Sequence, residues 1–287
     1  MGLLNGVIIG LVQGLTEFIP VSSSGHLVIV QRFLKLSEPP VTVAVFVHLG
    51  TLAAVMIVYW PRLWQMLQSL LPGSGRDRMQ ARRLILMLIL GSIPAAAAGL
   101  ALADVFERAF SSLPTVGGML ILTGFFLLIG AMAGGPHRRH GPGRRGGTLV
   151  RDRDQGQDGT TLLRMTWWQS LVIGMFQALA IFPGLSRSGT TISAGLLSGL
   201  SPAAAADFSF LLSIPTILGA AAVDLLHLGG GVQVTTELLV ATVVAALSGL
   251  IAIRFVLNTV RARRLSIFVP YCWILGTILL IFTAVRG

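Results

Sequence analysis

A chain of 287 residues that is 54% hydrophobic, only 11% charged and has a mean hydropathy of +0.81 lies outside the composition of a water-soluble globular domain. It is an integral membrane protein. Its formal net charge of +10 has to sit in loops, and with a single cysteine, Cys272, a disulfide framework and a cysteine-based metal site are both excluded.

The first apolar region, 3–34, is cut in its middle by EFIPVSSSGH, residues 17–26, so each half is too short to cross a bilayer. A cleavable signal peptide fits this start poorly: no Lys or Arg precedes the apolar run, which leads into Glu17 and three serines instead of a cleavage site. Apolar stretches long enough for about 20 helical residues follow at 43–60, 84–102 and 116–133. The segment 134–166 carries seven Arg, and its PHRRHGPGRRGG reads as a loop drawn to anionic lipid instead of a nucleic-acid site. A second interrupted region covers 169–200, and three more spans follow at 207–226, 238–257 and 268–285. The expected fold is an all-α integral membrane protein with six transmembrane helices and two re-entrant helical hairpins, whose broken backbone needs protein or a watery cavity around it.

Arg62, Arg76, Arg78, Arg82 and Arg83 in 61–83, the seven Arg of 134–166, and Arg261, Arg263 and Arg264 in 258–267 mark those connections as cytoplasmic. Both termini are then outside. The first hairpin enters from the outer side and the second from the cytoplasmic side.

Shifting the sequence by 164 residues lays IGLVQGLTEFIPVSSSGH on IGMFQALAIFPGLSRSGT. Ile9, Gly10, Gln13, Leu15, Phe18, Ser22, Ser24 and Gly25 meet Ile173, Gly174, Gln177, Leu179, Phe182, Ser186, Ser188 and Gly189. Leu36, Ser37 and Phe46 meet Leu200, Ser201 and Phe210 at the same offset. The chain reads as one membrane domain, 1–287, built from two inverted repeats, 1–133 and 167–287, joined by the basic loop 134–166. In such folds broken helices meet near the midplane and aim their ends at a ligand.

The departures from symmetry supply the chemistry. Glu17, Ser23 and His26 stand where the second copy has Ile181, Arg187 and Thr190. Ionisable groups in membrane segments are costly and therefore functional candidates. Glu17 and Arg187 have a plainer reading as a structural ion pair, and the serines as helix caps or interhelical donors. Two Ser-x-Ser-Gly turns leading into helices nevertheless offer N–H groups, hydroxyls and helix N-termini to a phosphate, and Arg187 adds a bidentate fork. The ligand-binding set is Gln13, Ser22, Ser24, Gly25, Ser186, Ser188, Gly189 and Thr190, and the catalytic set Glu17, Ser23, His26 and Arg187. His26 or Glu17 could withdraw the proton of Ser23. Glu17, one turn after Gln13, could alternatively bind Mg²⁺ or Ca²⁺.

QGLTEFIPVSSSGH resembles the first signature of the bacterial undecaprenyl-diphosphate phosphatase family, and PGLSRSGTT, residues 183–191, its second. The resemblance runs over nearly the whole chain. It implies a bacterial inner-membrane hydrolase that removes the terminal phosphate of undecaprenyl diphosphate, recycles the lipid carrier for peptidoglycan and confers bacitracin resistance. It matches Glu17, Ser22, Ser23, His26 and Arg187 to the family's motif residues, with Gln13 where many members carry glutamate and Ser24 where some carry threonine. The expected active site faces outward; the expected partners are the lipid substrate and membrane lipids, with the oligomeric state open and a homodimer among the options.

A transporter or flippase of a polyprenyl phosphate or another anion is the rival reading, because inverted repeats with broken helices also build transporters. The small-residue runs 95–103 and 201–207 would let helices pack closely or leave grooves for a hydrocarbon tail. Asp207, placed near a helix start, and His48 stay off the catalytic list.

Overall fold

The computed structural model describes residues 2–33, 41–134, 159–227 and 234–286, and among them the chain is helical apart from one isolated bridge between Thr160 and Leu200. PHRRHGPGRRGG lies outside the described residues. Helices α1 (Leu3–Phe18) and α2 (Ser23–Phe33) are followed by α3 (Val41–Ser69), α4 (Arg76–Ala101), the short α5 (Ala103–Ser111) and α6 (Leu113–Ala133). The second half contains α7 (Trp167–Leu179), α8 (Arg187–Leu197), α9 (Pro202–His227), α10 (Thr236–Arg261) and α11 (Val269–Arg286).

Six of these helices, α3, α4, α6, α9, α10 and α11, are long and apolar enough to cross a membrane. The remaining four of the interrupted regions have 16, 11, 13 and 11 residues. At 1.5 Å per residue they reach about 16–24 Å, short of a hydrocarbon core of about 30 Å.

Expected and observed elements differ mostly at helix ends. The connection 61–83 is largely helical, because α3 runs through Pro61 to Ser69 and α4 already starts at Arg76. Arg62 and Arg261 therefore sit on helices, not in loops. The connection 103–115 contains α5, which the hydropathy count does not signal. Trp60, Trp64, Trp167 and Trp168 are all substantially exposed near the ends of their helices, as expected of aromatic residues at a membrane interface. Of the two small-residue runs, 201–207 is wholly buried, whereas in 95–103 only Ala95 is buried.

Close backbone approach positions the interrupted helices. Helix α1 lies along α10, where a Cβ on Gly10 would meet the Ala241 carbonyl oxygen and one on Gly14 the Ser248 hydroxyl. Helix α7 lies along α4 in the same way, with Gly174 against the backbone of Gly91. The chain ends of α1 and α8 then meet over α9, where Phe18 stacks edge-on against Phe210 at 5.6 Å between ring centroids. Both rings are fully buried, and this cluster is the floor of the site.

Candidate active site

Helix α1 stops after Phe18, and Pro20 provides a reason: it has no N–H to continue the ladder. The turn closes with the Val21 N–H donating to the Ile19 carbonyl at 2.7 Å. Ser22 then adopts φ 71°, a left-handed conformation that costs a non-glycine residue roughly 1–2 kcal/mol. That geometry turns its Oγ back to accept from Gly25 N–H at 3.2 Å and to share a hydrogen bond with Ser24 Oγ at 3.2 Å. The second turn repeats the pattern. Ser186 Oγ accepts from Gly189 N–H at 3.1 Å and pairs with Ser188 Oγ at 3.2 Å. Here the left-handed position falls on Gly184, φ 95°, packed against the Val116 backbone of α6. The two turns touch, since a Cβ on Gly25 would lie 3.2 Å from Gly184 Cα and one on Gly189 3.3 Å from Pro20 Cβ.

Between the turns sits the charged centre. Arg187 Nη2 donates to Glu17 Oε1 at 2.7 Å, and Arg187 Nη1 to the Ser209 carbonyl of α9 at 3.2 Å. The other carboxylate oxygen, Glu17 Oε2, accepts from Ser23 Oγ at 2.7 Å and from Gln13 Nε2 at 2.9 Å. His48 of α3 adds its Nε2 at 3.8 Å from the same oxygen. The Glu17 and Arg187 side chains are only 7% and 14% exposed, so each charge depends on the other for compensation. Gln13 is fully buried, and its Oε1 makes no hydrogen bond.

His26 stands apart from Ser23. Its Nδ1 lies 2.7 Å from the Ser22 carbonyl oxygen, which can only accept, so in the neutral ring the proton is on Nδ1. Nε2 is then the acceptor for Tyr271 O–H at 2.6 Å, and the two rings are nearly parallel. Both ring nitrogens are thus engaged, and the carboxylate of Glu17, not the imidazole, touches the serine hydroxyl. Thr190 donates to the Ser186 and Arg187 carbonyls within its own helix.

Sequence reasoning singles out Gln13, Glu17, Ser22, Ser23, Ser24, Gly25, His26, Ser186, Arg187, Ser188, Gly189 and Thr190; Gln13 and Glu17 lie on the last turns of α1, and the others lie on the two touching turns and the first turns of α2 and α8. It leaves His48 off the catalytic list and passes over Tyr271. A histidine in an otherwise apolar span and one of only two tyrosines in the chain were the available signals. Asp207, expected near a helix start, lies beyond the first turn of α9 and pairs with Tyr59, Arg62 and Arg261 instead.

For a divalent cation the oxygen set is sparse but suitable. Among the described residues no group of three or more His, Cys, Asp and Glu could hold a metal. Gln13 contacts Glu17 through its Nε2 and leaves its Oε1 unpartnered, and Mg²⁺ characteristically uses one or two protein oxygens with substrate phosphates and water.

Fold and site define a multi-pass helical membrane protein with a buried carboxylate–guanidinium pair between two serine-rich turns. The family described as bacitracin resistance protein BacA matches residues 6–278. The chain is 40% identical over 291 residues to the undecaprenyl-diphosphatase of Desulfosudis oleivorans, covering 96% of this chain and 97% of that one. It is 40% identical over 278 residues to the undecaprenyl-diphosphatase of Syntrophotalea carbinolica, with 96% and 97% covered. With that of Halothermothrix orenii it shares 35% identity over 288 residues, 99% and 100% of the two chains. This chain belongs to the BacA family.

Proposed function

We infer that this chain hydrolyses undecaprenyl diphosphate to undecaprenyl phosphate and inorganic phosphate. The reaction returns the lipid carrier to cell-wall synthesis, and it removes the diphosphate that bacitracin captures. Family membership and full-length identity to undecaprenyl-diphosphatases support the activity.

For the chemistry, the carrying observation is the contact of Ser23 Oγ with Glu17 Oε2 at 2.7 Å while Arg187 holds Glu17 Oε1. In the proposed route Ser23 Oγ attacks the terminal phosphorus and its proton passes to Glu17. The bond from that phosphorus to the bridging oxygen breaks, and undecaprenyl phosphate leaves. Glu17 gives that proton to the bridging oxygen as it departs; water then attacks the phosphoserine and loses a proton to the regenerated carboxylate, the bond from phosphorus to Ser23 Oγ breaks, and Oγ takes the proton back as phosphate leaves. The Arg187 fork and the N–H groups at the starts of α2 and α8 stabilise the phosphoryl oxygens. Alternatively, Gln13 Oε1 and Glu17 would hold a divalent cation, which would supply charge neutralisation on the phosphates and leave Glu17 a ligand instead of the base. His26, held by Ser22 and Tyr271, is placed to orient the first turn or serve the leaving group. A transporter needs the same anion-binding groups but not a hydroxyl in contact with a carboxylate.

Re-entrant hairpins in an inverted repeat account for four helices too short to cross, and the repeat-paired Gly10 and Gly174 each dock a hairpin on a span from the opposite half. The basic residues near the ends of α3, α4 and α10 favour placing those ends in the cytoplasm and the termini, with the site's entrance, on the outer side. The test is phosphate release from undecaprenyl diphosphate by purified protein, with and without chelator, beside Ser23→Ala and Arg187→Ala. Release that both folded variants lose supports a phosphatase using both turns. A folded wild type that binds the lipid and releases nothing would leave the transporter.

A further inference from the structure

A second charged cluster lies on α9 only two residues before Ser209, the residue whose carbonyl braces Arg187. Tyr59 O–H donates to Asp207 Oδ1 at 2.7 Å. Arg62 Nη1 approaches Asp207 Oδ2, and Arg261 Nη2 approaches Asp207 Oδ1, each at 3.8 Å, outside hydrogen-bond range. Arg62 Nη1 and Arg261 Nε are both buried and make no hydrogen bond. Two guanidiniums thus share one carboxylate and leave a unit of positive charge with N–H donors that make no hydrogen bond. The cluster joins α3, α9 and α10 at the end of the bundle where the basic connections lie, and although the unpartnered nitrogens are buried, the two arginine side chains remain about one-quarter exposed.

We propose that Tyr59, Arg62, Asp207 and Arg261 form a second anion site that takes a phosphate monoester group. The planar forks of two arginines converging on one place match the oxygens of a monoester dianion better than those of a singly charged diester. The carboxylate of Asp207 holds the forks in place in the empty site and weakens anion binding by its own charge. The group has two chemical sources, free inorganic phosphate or the phosphate of a prenyl phosphate, and neither need come from the reaction inferred above. Binding itself does not depend on that reaction.

The experiment uses full-length protein in nanodiscs of zwitterionic lipid carrying Arg187→Gln, which weakens the first site and removes turnover as a complication. Inorganic phosphate and farnesyl phosphate are titrated separately by calorimetry. Expected is a binding event that falls at least tenfold in affinity on adding either Arg62→Gln or Arg261→Gln, and that tightens severalfold on adding Asp207→Asn. Preference for farnesyl phosphate assigns the site to a lipid headgroup, and preference for inorganic phosphate to the free ion. Melting temperatures identify misfolded variants, and the two arginine variants serve as independent replicates. The proposal is overturned if neither probe binds the Arg187→Gln protein. It is equally overturned if binding ignores both arginine changes, or if Asp207→Asn lowers the melting temperature without tightening either ligand. A phosphatase test that fails while this binding persists would reject the activity and leave the second site standing.

Discussion

Arg187 Nη2 and Glu17 Oε1, 170 residues apart in sequence, meet at 2.7 Å in the buried centre of the bundle. Removing one member of such a pair strands the other charge, at a cost of about 3–5 kcal/mol, which exceeds the net worth of the intact pair. Arg187→Ala and Glu17→Ala are each expected to lower stability by about that amount, and the double variant by less than the sum. Chemical denaturation in mild detergent measures the cycle. Additive losses would mean that the two groups do not compensate each other.

Ser23 makes its hydrogen bond at the start of α2, and the cap of that helix comes from Ser22. Ser23→Ala should therefore cost stability only about 1 kcal/mol, the usual net value of one hydrogen bond, while phosphate release falls at least about 100-fold. Acid quenching of the wild type with labelled substrate should trap a phosphoserine that the variant lacks. Retained turnover in Ser23→Ala would transfer the attack to water activated by Glu17.

Tyr271 engages the nitrogen of His26 that faces away from Ser22. Tyr271→Phe keeps the neighbouring ring and deletes one hydroxyl. The expected result is a fall in kcat of roughly tenfold with KM nearly unchanged, since an orienting contact acts on the reacting geometry. His26→Ala should make the Tyr271→Phe change silent. A Tyr271→Phe effect that survives loss of His26 would show that the hydroxyl meets the substrate directly.

The sequence carries the spans because hydropathy counts what lipid requires: four of the six apolar stretches lie within observed helices, and 84–102 and 268–285 each overrun theirs by one residue. It misplaces their ends because the count stops where charge begins, whereas α3 continues through Pro61 and Arg62 and α10 through Arg261. The turns were legible for a different reason: the offset of 164 residues exposes both Ser-x-Ser-Gly copies, and their departures from each other point to Glu17, Ser23 and Arg187. The approach of His48 to Glu17, the role of Tyr271 and the partners of Asp207 were not legible. Their positions depend on how α3, α11 and α10 rotate about their axes, and no periodicity in a lipid-facing helix records that rotation.

Chelation tests the oxygen pair beside the charged centre. With Gln13 Oε1 unpartnered and Glu17 adjacent, wild-type phosphate release is expected to collapse in chelator and return with Mg²⁺ or Ca²⁺. Gln13→Glu should lower the cation concentration needed for half-maximal rate, because a second carboxylate adds charge to the site. A rate indifferent to chelator in both proteins would leave charge neutralisation to Arg187 and the helix N-termini.

Glycine substitutions test how the interrupted helices are held. A Cβ at Gly10 would press into the Ala241 carbonyl of α10, and a Cβ at Gly174 into the backbone of Gly91 on α4, with no flexible side chain to move aside. Forcing extra volume into such a contact costs typically 1–3 kcal/mol, so Gly10→Ala and Gly174→Ala should both lower stability by about that amount. Gly219 on α9 has open space where its Cβ would go. Gly219→Ala should be neutral or stabilising by up to about 1 kcal/mol, since alanine is the better helix former. Thermal unfolding of the three variants separates close docking from a general intolerance of glycine loss. Equal destabilisation at all three positions would remove the docking argument, and loss at Gly10 alone would show that the two interrupted regions are not held alike.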